Sequence, residues 1–69
     1  MIGKQILEAL KKRYEAQVAE GIATVNIYLN HPVGIGEHPQ HLDEIDKLLD
    51  KIKEAEEKIS LIDKGEWTK

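Results

Sequence analysis

The segment Asn30-His31-Pro32-Val33-Gly34-Ile35-Gly36-Glu37-His38-Pro39 constrains this chain more than any other. It holds both prolines, two of the five glycines and two of the three histidines, and it separates two stretches with helical patterning. A residue before proline is pushed out of the right-handed helical region, so His31-Pro32 ends a helix. Gly34 and Gly36 permit backbone angles that other residues resist. Pro39 suits the first position of a following helix, with His38 as the flanking residue. The segment therefore predicts helix, shaped turn, helix, with Val33 and Ile35 folding back over the end of the helix pair.

Before the turn, Ile6, Leu7, Leu10, Tyr14, Val18, Ile22, Val25 and Leu29 recur at three- and four-residue steps, one stripe of an amphipathic helix over about residues 3–29. Gly21 interrupts it at a cost of about 1 kcal/mol relative to alanine, and is read as permitting close backbone approach or marking a bend. Val25, Ile27 and Leu29 also alternate, so a short strand over 23–29 is an alternative. Helix is preferred, because a lone strand has no partner within this chain.

After the turn, Leu42, Ile45, Leu48, Leu49, Ile52, Ala55, Ile59 and Ile62 form the apolar face of a second helix over about 39–64. Ile45, Ile52 and Ile59 take one heptad position, and Leu48, Ala55 and Ile62 the other; Leu42 and Leu49 widen the stripe to one flank. Asp43, Glu44 and Asp46 enrich its early turns in acid, as the helix dipole favours. Glu8 to Lys12, Asp43 to Lys47 and Glu54 to Lys58 have the spacing of surface ion pairs. Gly65 ends this helix and residues 65–69 form a tail, whose Trp67 is expected to tuck against its own bundle.

A 69-residue chain is one domain, and a domain this small buries only about 60% of the surface its unfolded chain exposes. The usual aids are disulfides, metals or association. The absence of cysteine removes the first and any thiolate zinc site. Each helix is roughly 37 Å long, and one hairpin leaves part of each stripe wet. The predicted fold is therefore all-α, a helical hairpin pairing as a homodimer into an antiparallel four-helix bundle. The residues expected at interfaces are Leu42, Ile45, Leu49, Ile52 and Ile59, facing Leu10, Tyr14, Val18, Ile22 and Val25. Tyr14 and Tyr28 lie on or beside the stripe, with their hydroxyls at the rim.

Composition narrows function more than it names it. Ten Lys/Arg against 13 Asp/Glu give a net charge of −3. From Glu37 onward there are ten acids and six bases, and before it three acids and four bases. The basic cluster Lys11-Lys12-Arg13 is flanked by Glu8 and Glu15, an unpromising footprint for nucleic acid. The amino-terminal residues lack the apolar run of a signal peptide, and no stretch approaches a membrane span. The expected location is cytoplasmic, the host cytoplasm for a viral protein.

His31, His38 and His41, with Glu37, are the candidate metal ligands. Their spacing is not a recognised ligand pattern, and a helix amino-terminus carries partial positive charge that opposes a cation. Capping and hydrogen bonding around the turn are their ordinary roles, so no metal and no cofactor are assigned. Gly34-Ile35-Gly36 is a weak match to a phosphate-binding loop, since such loops follow a strand. Ser60 is the single serine and lies far from the histidines in sequence, so no catalytic residue is assigned.

The stretch Thr24 to Pro39 resembles the central motif of small uncharacterised proteins from tailed phages of marine bacteria and from environmental sequences. In these a similar N-x-P-V-G-I/V-G-E-H-P turn joins two charged helical segments, and the resemblance covers about Lys12 to Leu61. It implies a helical hairpin and a viral or marine bacterial source, and no activity. The expected function is a non-enzymatic homodimeric helical module acting through protein-protein interaction, with the 33–41 surface as its contact region. The alternatives are a small metal- or anion-binding protein using the 31–41 turn, and a phage nucleic-acid-associated accessory protein using Lys11, Lys12 and Arg13.

Overall fold

A computed structural model describes residues 2–30 and 40–67. Two helices account for nearly all of them, α1 (Ile2–Asn30) and α2 (Gln40–Asp63). The two pack along their lengths as a helical hairpin. The molecule measures 53 × 14 × 12 Å with a radius of gyration of 16.0 Å, against the roughly 11 Å of a compact globule of this length. One helix pair thick, it has little interior.

Antiparallel pairing is fixed by four interhelical relationships. Lys11 meets Asp63, the Lys58 ammonium lies over the Tyr14 ring, Gly21 abuts Ile52, and the rings of Tyr28 and His41 pack at 5.2 Å. As residue number rises in α1 it falls in α2. Half-buried or buried along this seam are Leu7, Lys11, Tyr14, Val18, Gly21, Val25 and Tyr28 on α1, with Leu10 and Thr24 half-buried beside it. On α2 they are His41, Ile45, Leu48, Ile52, Ala55, Ile59 and Ile62, with Glu44 half-buried beside them. Both series step by four and three residues in turn, the seven-residue repeat that keeps one narrow stripe on the partner helix.

The expected interface set divides between this seam and the outside of the hairpin. Leu10, Tyr14, Val18, Val25, Ile45, Ile52 and Ile59 are half-buried, whereas Ile22, Leu42 and Leu49 are exposed. The stripe read from α1 drifts with the 3.6-residue turn, while the packed seam follows 3.5, so Gly21 is buried where Ile22 was expected. Residues 23–29 are helical: helix satisfies the backbone groups of this segment internally, and Val25 and Tyr28 extend the seam.

Small residues set the helix separation. The buried residues among those described are Gly21 and Ala55, the latter 2% exposed. A Cβ on Gly21 would stand 2.7 Å from Ile52 Cγ1, so this glycine serves close approach.

α2 ends at a glycine in the left-handed region. Gly65 has φ 69°, and its N–H donates to the Ile62 carbonyl at 3.1 Å while the Lys64 N–H donates to Ser60. The Leu61 carbonyl is taken by the Trp67 indole, whose Nε1–H donates to it at 2.9 Å. Helix ends leave such carbonyls without intrahelical partners, so Trp67 caps α2 and tucks against its own hairpin.

The surface pairs differ from those read by spacing. Lys47 approaches Glu44, three residues away, and Lys53 approaches Glu57, both at 3.9 Å. Lys58 turns across the hairpin to the Tyr14 ring, 5.2 Å from its centroid, because a ring face on the opposing helix offers the ammonium a partner.

Candidate functional site

The residue after each second seam position projects to one side of the hairpin. On α1 these are Glu8, Glu15, Ile22 and Leu29; on α2 they are Leu42, Leu49, Glu56 and Asp63. In an antiparallel pair they share one flank, and two open grooves on that flank bear this out. One, of about 660 Å³, is lined by Glu15 and Ile22 of α1 with Glu56 and Ile59 of α2. The other, nearer the chain ends, is lined by Glu8 and Asp63.

The flank changes character along its length. Nearest the 31–39 connection stand Leu29, 61% exposed, and Leu42, 78% exposed. Next come Ile22 at 47% and Leu49 at 52%. Beyond them lie Glu15 with Glu56, then Glu8 with Asp63. Two apolar layers are thus followed by two acidic ones, each about 10 Å apart by the helical rise. The opposite flank is polar where Gln17, Thr24, Lys51, Glu54 and Lys58 line its groove.

Other candidate chemistry is dispersed. His31, His38 and Glu37 of the metal set lie outside the described residues, as do Val33, Ile35 and most of the 31–41 turn; His41 is half-buried against Tyr28. Among the described residues no group of three or more His, Cys, Asp or Glu is placed to hold a metal ion. Ser60 stands about 28 Å along α2 from His41, beyond any proton transfer.

The basic cluster does not form a patch. Consecutive residues on a helix point about 100° apart. Lys11 turns into the seam, where its Nζ donates to Asp63 Oδ1 at 2.7 Å, leaving Lys12 and Arg13 on opposite flanks. That hydrogen bond and then the Asp63 charge raise the Lys11 pKa above its ordinary value.

A further apolar recess is at the chain ends, where Leu7, Leu10, Leu61 and Ile62 line it beside Trp67; Ile27, 60% exposed, stands apart from both it and the flank. Trp67, 53% exposed, half covers the recess. The 22/29/42/49 flank has no such cover among the described residues. Leu29 on that flank was outside the expected interface set; its place right after the seam residue Tyr28 is the signal that locates it.

No helix among the described residues is long and apolar enough to cross a membrane. No family model, curated protein or solved structure matches the chain.

Proposed function

We propose that this protein is a non-enzymatic helical module that acts through protein-protein interaction, pairing first with a second copy of itself to make a four-helix bundle. One observation carries this reading. The hairpin buries only small residues, Gly21 and Ala55 among those described, while Ile22, Leu29, Leu42 and Leu49 stand exposed on a single flank.

Scattered exposed leucines are ordinary on a protein surface; a contiguous set on one face of a molecule with little core is not. Fully covering an aliphatic side chain of this size contributes about 1.5–3 kcal/mol. These side chains are 47–78% exposed in the hairpin, so eight of them, four from each copy, supply part of that value each and a total of the same order as the cost of association, about 4–15 kcal/mol. Pairing is therefore expected to depend on protein concentration.

Sedimentation equilibrium between about 1 and 100 μM tests it, a range set around micromolar affinity. A mass moving from 7.8 kDa to twice that value supports the reading. A well-folded monomer throughout removes it.

A further inference from the structure

We infer, resting on the pairing proposed above, that the two copies associate antiparallel, with the two-fold axis crossing the flank at the level of Ile22 and Leu49. Leu42 of each copy then seats in the groove of the other.

The order of layers on the flank decides the direction. If the two-fold ran along the hairpin, like layers would stack. Leucine would meet leucine at one end, but Glu15 and Glu56 of both copies would bring four carboxylates into one cross-section. Like charges brought together across an interface are strongly disfavoured. A two-fold across the hairpin at the Ile22/Leu49 layer separates the acidic layers of the two copies, stacks that apolar layer on itself and lays each Leu29/Leu42 layer over the partner's groove beside Glu15 and Glu56.

Three features of α2 share one centre of symmetry and so set the register. Leu49 lies beside the axis. Asp46 and Lys53 flank it almost equally, one three to four residues before and one three to four after. Both project to the flank, since each stands one helical turn from its exposed layer residues. Within one copy they are about 10 Å apart along α2 and cannot pair; across the axis Asp46 of one copy faces Lys53 of the other, twice.

The third feature is a knob and a hole. Leu42 is the most exposed large apolar side chain described, at 78%. The groove lined by Val18, Ala19, Ile22, Ile59 and Ser60 together with Glu15 and Glu56 lies about as far beyond the axis as Leu42 lies before it. The antiparallel register therefore lays each Leu42 at the centre of the other copy's groove, level with Glu15 and Glu56 and between Val18 and Ile59.

The chain contains no cysteine, so single cysteines report geometry directly. Leu49→Cys is expected to form a disulfide-linked dimer under mild oxidation, because α2 faces α2 across the axis. In the lengthwise arrangement α2 faces α1 instead, and only a mixture of Ile22→Cys and Leu49→Cys crosslinks. A nitroxide on Ser60→Cys is expected to give a label separation of about 30 Å, twice the distance from the axis along α2; the lengthwise pair gives roughly half that. Asp46→Lys and Lys53→Asp are each expected to weaken dimerisation on the order of tenfold, and the double variant to restore it. Both positions are exposed, so helicity by circular dichroism should be unchanged. A dimer with the short Ser60 separation, or a charge swap without rescue, overturns the antiparallel register and leaves the pairing standing. A monomer in sedimentation overturns both.

Discussion

Gly21 lies against Ile52 so closely that a Cβ at position 21 would stand 2.7 Å from Ile52 Cγ1 and 3.1 Å from Cδ1. Cγ1 is held near the backbone of a β-branched side chain and has little room to retreat. The chain therefore gives up about 1 kcal/mol of helix propensity at position 21 for closer contact between its helices.

Gly21→Ala sets these two effects against each other. Overpacking costs typically about 1–3 kcal/mol and exceeds the propensity gain, so the variant is expected to unfold at lower urea. Gly21→Ala combined with Ile52→Ala should be more stable than the sum of the single effects requires, because the methyl enters the space that Ile52 vacates. Strict additivity would separate Gly21 from Ile52 energetically.

Lys11 and Asp63 give the hairpin an alkaline limit. The folded-state pKa of Lys11 is raised, first by its hydrogen bond to Asp63 and then by that carboxylate's charge; partial desolvation works against this. A raised lysine pKa means the folded state holds the proton more tightly than the unfolded state. Its contribution is therefore complete below the ordinary value of 10.5 and lost as pH rises through the folded value. Lys11→Met should narrow its stability difference from the parent protein above that pH and lack salt sensitivity at this pair. An unchanged difference across the alkaline range would deny the bond any role.

Trp67 is the chain's one tryptophan and reports its own docking. Trp67→Phe keeps the apolar cover but leaves the Leu61 carbonyl without the indole donor, and should cost about 0.5–1.5 kcal/mol, the net worth of one hydrogen bond. In the parent protein acrylamide should quench the emission more weakly than in a short peptide of the same tail. Equal quenching would mean the indole does not dock.

Leu42→Glu separates pairing from folding. Leu42 is largely exposed in the single hairpin, so the change should leave helicity intact at concentrations where the protein is monomeric. It should abolish the rise of the thermal midpoint with concentration that self-association produces. The contrasting change, Ala55→Leu, enters the closed part of the seam and should destabilise the hairpin itself by about 1–3 kcal/mol.

Ile22 and Val25 show why the helices could be read from the sequence and their facing sides could not. Both are apolar, three residues apart on one helix, and both fall in the same broad stripe. Val25 is half-buried and Ile22 exposed because the packed seam repeats every seven residues and passes through Gly21. Glycine carries no hydropathy signal, and its role shows only when Ile52 is set against it. Lys11 was obscured for the converse reason, since a charged residue in a seam reads as a surface residue until Asp63 is seen across from it.

The sequence by itself determined two helices, their antiparallel return and the glycine that ends the second. These follow from local backbone preferences and from the period of the apolar residues, which act within a few residues of one another. Only the tertiary structure decided which apolar residues close the hairpin and which remain on its flank. That choice depends on the distance between two helix axes, which the contact of Gly21 with Ile52 sets and which no single helix contains.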